Sequence, residues 1–589
     1  MAFLIKEQLA QSYELEKLQQ KLKLVHERKT LLMQMCLQLK NALTSAIGLQ
    51  HNLLKSSRRS YVSPTTSVLY QFKTDFTNGC YSKHRIMIAN VKTIALVGFD
   101  GTLVEVETDI KQGLPGIHVV GMGNKAVDEA RERVRSAIHH SLLDFPARKL
   151  TINLAPAELP KDGAHFDLPI ALSILVASGQ LRQTEVAGSV FAGELALDGS
   201  IRPVRGVITI IQAAQQAGFS RVFIPRDNGP QASLLEGIEI IGVDSFKDIY
   251  LHLKQELLLT PLSSPPPPER HSSGPTFDDI SGQPLAKRAL QIAVAGRHNI
   301  LFVGPPGSGK TMLARTIPAL LPPLSTKEAI EVAKIHSFTG TDTVSIIYDR
   351  PFRTPHHTTS QTALIGGGTK ARPGEVSLAH HGVLFLDELP EFPRSTLEAL
   401  RQPLEDKSIT ITRSHGRITY PADCMLVATM NPCPCGYLGD MSKECACSAT
   451  QILAYQKRLS GPLLDRIDII ITVSKVTIES LFYKNTLRKN QQLEVSNSIN
   501  DAFSVQKKRY KSSGTYNGSA STMAIKKYFT LSPAAQDLLT TAARRLDLTA
   551  RSYFKVIKVA RTIADLDGAD RIDTRHIAEA LQLRMNLPT

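Results

Sequence analysis

Residues 298–317, HNILFVGPPGSGKTMLARTI, join an apolar run, a glycine-rich turn and a stretch of helical spacing, and they decide the fold. Gly304, Pro305, Pro306, Gly307, Ser308, Gly309, Lys310 and Thr311 form the eight-residue phosphate-binding loop pattern in its required setting, after a strand and before a helix. The glycines let backbone N–H groups face phosphate, and the helix dipole adds favourable potential for the anion. Lys310 is predicted to reach the β- and γ-phosphates of ATP, and the Thr311 hydroxyl to ligate Mg²⁺.

Further along, GVLFLDELPEF (382–392) buries a second apolar run that ends in two carboxylates. Asp387 is predicted to hold Mg²⁺ and Glu388 to polarise the attacking water, the positioning on which phosphoryl transfer depends. MLVATMNPCPCG (425–436) sets Asn431 at the end of another apolar strand, where it can orient the same water. Arg466, in SGPLLDRIDI (460–469), follows a turn. It reads as a finger projecting onto a neighbouring subunit's γ-phosphate, or as the partner of Asp465 or Asp468. Arg551, opening a helical stretch, is the candidate lid sensor, ahead of Arg561.

The chain has 589 residues, too many for one growing core, which implies several domains. Residues 1–86 read as a helical, basic extension, with translation from Met87 as the alternative. Strand-like and helical stretches alternate over 87–258, which predicts an α/β domain. LTPLSSPPPPERHSSGP (259–275) predicts an extended linker. The nucleotide core follows at 276–475, then a polar connector or insertion at 476–525, then a helical lid at 526–589. No run of eighteen apolar residues and no secretory leader are present, so a cytoplasmic location without membrane contact is expected.

The net charge of +15 does not decide for nucleic acid, because residues 1–86 hold 13 Lys+Arg against 5 Asp+Glu and so carry 8 of it. More specific is KSITITRSHGRITYP (407–421), which alternates like a hairpin and presents Lys407, Arg413 and Arg417 near its tip. With Lys370 and Arg372 these cations are candidates for tracking DNA phosphates, the alternative being a solvated hairpin. Cys433, Cys435, Cys445 and Cys447 are four of the seven cysteines, with nine residues between the two CxC pairs. They read as a closed tetrahedral Zn²⁺ site, or as free thiols or redox-sensitive pairs. His356 to Thr359, HHTT, lacks a third ligand nearby and is assigned to fold or interface.

RPFRTPHHTTSQTALIGGG, PGEVSLAHHGVLFLDELPEF, MNPCPCGYLGD and SGPLLDRIDI, together with the loop above, resemble the magnesium-chelatase-like AAA+ ATPases and, more narrowly, the YifB/ComM group. The resemblance runs from about Met87 to the C-terminus. It implies a P-loop AAA+ core with a helical lid and ATP held between the subunits of a ring, usually a hexamer. It also implies DNA branch migration or helicase work in recombination and natural transformation, with recombination proteins as partners. The alternative implied is a chelatase-like or chaperone-like ATPase acting on a protein. Residues 87–258 are similar to the Lon peptidase domain, of the ribosomal S5 domain 2-like type. Against Lon's serine motif, PKDGAHFDLPIAL puts His165 at the nucleophile, and GSIRPVRGVITIIQAA puts Ile210 at the lysine, so a Ser–Lys dyad is lost. His165 and Asp167 are expected to be structural.

Overall fold

The first strand, β1 (Ala89–Val97), shows the burial alternation of a sheet with one face on the core. Gly98, at φ 63°, turns the chain into β2 (Asp100–Lys111), which pairs back antiparallel from Val97↔Asp100 to Ala89↔Thr108. There follow β3 (Gly116–Val120), α1 (Lys125–His140), β4 (Lys149–Ala155), α2 (Asp167–Ala177), β5 (Ser189–Phe191), α3 (Val207–Gln216), β6 (Arg221–Pro225) and β7 (Glu239–Val243). The strands form one sheet in the order β3-β4-β2-β1-β5-β6-β7. Helix α2 is apolar on all sides and is buried from Asp167 to Leu175, as such a helix must be.

This computed structural model describes residues 88–121, 125–159, 161, 163–263, 274–338, 348–368, 371–413, 416–440, 443–476, 491–512 and 514–584. The predicted 1–86 extension, Lys370, positions 264–273 of the linker and 477–490 of the connector lie outside them. The start of the linker is fixed: Pro261 bridges Ile241, and the Leu262 N–H donates to the Ile240 carbonyl at 2.8 Å, which continues the sheet at β7.

The second sheet is built from runs that are buried on both faces, the signature of parallel strands covered by helices. After α4 (Pro284–Gly296) come β8 (Ile300–Val303), α5 (Lys310–Arg315), α6 (Thr326–Ser337), β9 (Phe352–Arg353), β10 (Val383–Leu386) and α7 (Arg401–Asp406). A hairpin of β11 (Ser408–Arg413) and β12 (Gly416–Pro421) then precedes β13 (Met425–Met430), α8 (Ala449–Gln456) and β14 (Ile469–Thr472). The order is β9-β10-β13-β8-β14, every pairing is parallel, and the carboxyl ends of β8, β10 and β13 share one edge.

Within the predicted polar connector, residues 491–510 form a helix, α9 (Gln491–Tyr510). Its buried residues, Ile499, Ala502 and Gln506, make a narrow stripe, and the Gln506 amide donates to the Ala295 carbonyl of α4 at 2.8 Å. Helices α10 (Pro533–Arg545), α11 (Ala550–Leu566) and α12 (Thr574–Gln582) complete the lid. Lid residues such as Val556 and Ile563 share a core with Ile300 and Phe302 of β8. Among the described residues no helix is long and apolar enough to cross a membrane.

The Lon-like dyad is absent. His165 is buried against Phe166, with Nε2 3.0 Å from the Ile94 carbonyl oxygen. Asp167 instead accepts from Arg133 at 2.7 Å and from the Leu195 N–H at 3.3 Å. Helix α3 carries no lysine, and both Ile208 and Ile210 are buried. Neither His165 nor Asp167 shares a partner with the other, in accord with a structural role.

Burial holds the His165 imidazole down at about 4, so it is neutral in the folded chain. Its unfolded counterpart takes a proton below 6.5, so its contribution is complete above that pH and fades as pH falls toward 4, by up to about 3 kcal/mol. Burial raises Asp167 to about 6, which acts in the opposite sense between 3.8 and 6. Comparison with His165→Phe isolates the histidine: melting temperatures from about pH 7 to about pH 5 should fall more steeply for the wild type than for the variant. Parallel profiles would show that His165 is not neutral in the fold.

Candidate nucleotide site

The loop leaves β8 under tight constraint. The Gly304 N–H donates to the Met430 carbonyl at 3.2 Å, and a Cβ at 304 would lie 2.2 Å from the Val473 carbonyl oxygen. Gly307 (φ 73°) and Gly309 (φ 87°) take left-handed conformations, and Gly309 opens α5. The Lys310 side chain is largely buried and donates to the Gly304 carbonyl at 2.7 Å, the Pro305 carbonyl at 2.9 Å and Asn431 Oδ1 at 3.3 Å. Burial lowers its pKa, against the opposing charges of Asp387 and Glu388. The sequence-predicted Lys310 and Asn431 therefore meet.

Asp387 lies exposed at the end of β10, where Oδ2 accepts from the Thr311 hydroxyl at 3.2 Å. This hydroxyl and carboxylate are the oxygen ligands that Mg²⁺ prefers. The other carboxylate oxygen accepts from the Thr429 hydroxyl, whose oxygen in turn accepts the Glu388 N–H at 3.0 Å. Glu388 itself sits at φ 54°, a strained conformation for a residue with a side chain. Sequence reading missed Thr429, although a hydroxyl within the apolar run of a buried strand is a signal. It also missed Gln283, at φ 54°, whose amide donates to the Ser308 carbonyl and, at 3.3 Å, to that of Ser474.

Arg466 and Arg551 stand apart from this loop; among the described residues neither contacts positions 304–311 of its own chain. Arg466 donates to the Arg401 carbonyl at 2.7 Å and the Pro462 carbonyl at 2.6 Å, and it pairs with Glu405 of α7. Arg551 pairs with the same carboxylate. Neither alternative partner of Arg466 is realised: Asp468 binds Lys555 at 3.1 Å and Asp465 faces Arg584 at 3.9 Å. Arg561 is buried in the lid on Asp565 and the Asp570 carbonyl, which removes it as a phosphate sensor.

The basic hairpin needs one correction. Lys407 lies at its base, before β11, and pairs with Asp423 at 2.9 Å, because the turn falls at 413–416. Arg417, opposite Thr412, is next to the tip and exposed; the side chain of Arg413 lies outside the described residues. Arg372 is exposed on a short hairpin, Gly366–Gly367 with Arg372–Pro373. The two hairpins touch, the Tyr420 hydroxyl donating to the Ala371 carbonyl at 2.8 Å. The His356 and His357 rings lie tilted with centroids 4.0 Å apart, and His356 bonds locally to Thr358 at 2.9 Å.

A parallel sheet of this order, a phosphate-binding loop after β8, two carboxylates at the end of β10 with β13 between these strands, and a helical lid define an AAA+ ATPase. Family models described as magnesium chelatase, subunit ChlI, match residues 276–481 and, for the C-terminal part, 490–584; one described as subunit ChlI of Mg-chelatase matches 106–228. The chain is 42% identical to competence protein ComM of Haemophilus influenzae over 504 residues, covering 84% of this chain and 97% of that one. It is 40% identical to protein YifB of Escherichia coli over 498 residues, 84% and 96% of the two chains. A Lon protease of Mycolicibacterium smegmatis is 29% identical over 181 residues, 28% of this chain and 23% of that one. The chain belongs to the YifB/ComM family of magnesium-chelatase-like AAA+ ATPases, with a Lon-peptidase-like N-terminal domain that lacks the catalytic dyad. Membership implies ATP and Mg²⁺.

Thr429→Val leaves Asp387 short of a donor and the Glu388 N–H without its acceptor. We expect the Mg²⁺ concentration needed for half-maximal ATPase to rise about tenfold, the size typical of lost support behind a metal ligand, with the fold retained by circular dichroism. An unchanged Mg²⁺ dependence would remove Thr429 from the site.

Proposed function

We propose that the protein is an ATP-driven ring motor on DNA, a cytoplasmic hexamer that migrates branches or unwinds strands during recombination and natural transformation. Lys310 binds the β- and γ-phosphates, Thr311 and Asp387 hold Mg²⁺, and Glu388 with Asn431 orients the attacking water. Arg466 and Arg551 serve the neighbouring subunit's nucleotide. The observation that carries the DNA reading is the pair of contacting hairpins: Arg372 and Arg417 are both exposed there, and neither has an ion-pair partner among the described residues. Unpaired cations on adjoining loops suit a phosphate backbone followed without regard to sequence. The printed name of the Haemophilus relative, a competence protein, supports the link to DNA uptake.

The test is steady-state ATPase of the wild type, Glu388→Gln and Arg372→Ala/Arg417→Ala, each without DNA, with single-stranded DNA and with a four-way junction. DNA should stimulate the wild type, Glu388→Gln should lose turnover by about 10²-fold or more, and the double variant should keep basal turnover but lose most of the stimulation. A Glu388-dependent rate indifferent to DNA would transfer the proposal to the chelatase-like or chaperone-like alternative.

Sharing of sites between subunits has its own check. Lys310→Ala and Arg466→Ala are each expected to be inactive alone, whereas mixing them before assembly should restore a fraction of the rate, because some interfaces then pair an intact loop with an intact finger. Absence of recovery in verified mixed rings would place Arg466 outside the reaction.

A further inference from the structure

We infer that Cys433, Cys435, Cys445 and Cys447 bind one zinc ion, and that this zinc clamps the Asn431 loop against the phosphate-binding loop, so that nucleotide affinity depends on the metal. The clamp builds on the nucleotide-site reading and is independent of DNA.

The four sulfurs all lie within 4.8 Å of one another. Their short separations are 3.3 Å for Cys433–Cys435, 3.5 Å for Cys435–Cys445 and 3.6 Å for Cys433–Cys445. Disulfide sulfurs stand about 2.05 Å apart, whereas a tetrahedron with Zn–S of about 2.3 Å has edges of about 3.8 Å. The cluster has the dimensions of a single-ion cage. A multi-iron cluster would spread its thiolates further, and a closed set of four soft ligands suits a structural zinc. Four thiolates around Zn²⁺ carry a net charge of −2; the Lys443 ammonium lies 4.3 Å from the ring of Tyr437, in the loop between the two CxC pairs, while Lys475, 5.3 Å from that ring, is paired with Asp440.

The Cys433–Cys435 side of the cage is joined to the phosphate-binding loop, and the Cys447 end to α8. Cys433 follows Asn431 by two residues, and Asn431 Oδ1 accepts from Lys310. The turn after Cys435 brings Gly436, at φ 84°, so near Pro306 of the phosphate-binding loop that a Cβ would lie 2.7 Å from the proline Cδ. After Cys447, the Ser448 hydroxyl accepts the Gln451 N–H to cap α8, and the Gln456 amide returns to the Pro432 carbonyl at 3.4 Å. The metal thus closes the loop 431–448 on itself and on Pro306. Without it, the Asn431 segment keeps its bonds to Lys310, to the Gln456 amide at Pro432 and across the Cys433–Gly436 turn, but loses the link that ties 433–435 to 445–447.

The full chain, purified under reducing conditions without chelator, is assayed for metal, and cobalt replaces zinc in a second sample. One zinc per chain and the visible bands of tetrahedral thiolate cobalt are expected. Zinc is then stripped, the chelator removed, and affinity for a fluorescent ATP analogue measured in excess Mg²⁺ before and after zinc is returned. A reversible weakening of about tenfold or more is expected, as for lost support behind a binding group. Cys445→Ser should reproduce the weakening without rescue by zinc.

Protein that neither carries nor takes up zinc or cobalt overturns the metal site. Stoichiometric zinc whose removal leaves nucleotide affinity unchanged overturns the clamp. If zinc-loaded protein binds no ATP analogue, the nucleotide reading itself fails, while the metal assay still reports on the cage.

Discussion

The Val473 carbonyl leaves no room for a side chain at residue 304, and the catalytic arrangement depends on that closeness. Strand β8 is wedged between β13 and β14, so the chain leaving it has one exit, between Met430 and Val473. That exit places Lys310 beside Asn431, since both follow neighbouring parallel strands. The same register sets Thr429 next to the end of β10, where its hydroxyl joins Asp387 and Glu388 into one network. Catalytic side chains separated by more than a hundred positions are thus assembled by strand order, at the edge where open parallel sheets bind ligands.

Helix α6 connects this edge to the Lon-like domain. Ala333 packs into the apolar cluster of Ile94, Val190 and α3, and Lys334 lies 4.2 Å from the Phe99 ring, at the β1–β2 turn. On the same helix, Glu331 accepts from His380 and His381, the two residues that lead through Gly382 into β10, and these bonds hold its carboxyl well below the usual range. His380 accepts the Asp423 N–H on Nδ1, so its proton resides on Nε2 and points at Glu331. This triad is a hydrogen-bonded strut: the His380 nitrogen that bears its proton toward the carboxylate has no lone pair for a metal. Helix α6 thus lies between the Lon-like sheet and the strand that carries Asp387 and Glu388.

The loop, the carboxylate pair and Asn431 were legible in the sequence because each follows an apolar run that can only be a buried strand. The lid helices were legible from 532 onward for the same reason of periodicity. Helix α9 was not, since only three of its residues are buried and its surface is almost wholly polar; tertiary packing on α4 creates it. Lys407 was placed too near the hairpin tip because alternation marks a strand's faces and leaves its register open, and register is set by the turn. Glu405 was invisible as the arginine partner: it meets Arg466 from 61 positions away and Arg551 from 146.

That carboxylate gives the two arginines a common logic. Two guanidinium groups share one half-exposed carboxylate, so the cluster keeps a net positive charge and unused donors at the surface. Arg466 is fixed by two backbone carbonyls as well, while Arg551 is held among the described residues by Glu405 alone and remains half exposed. In the proposed ring, a neighbour's triphosphate, carrying more charge than one carboxylate, would compete best for Arg551, whose release would cost little because exposed ion pairs are worth about 1 kcal/mol or less. Arg551 opens α11, the helix that packs the lid on the core, so its transfer from Glu405 to phosphate would carry an occupied interface directly into lid position.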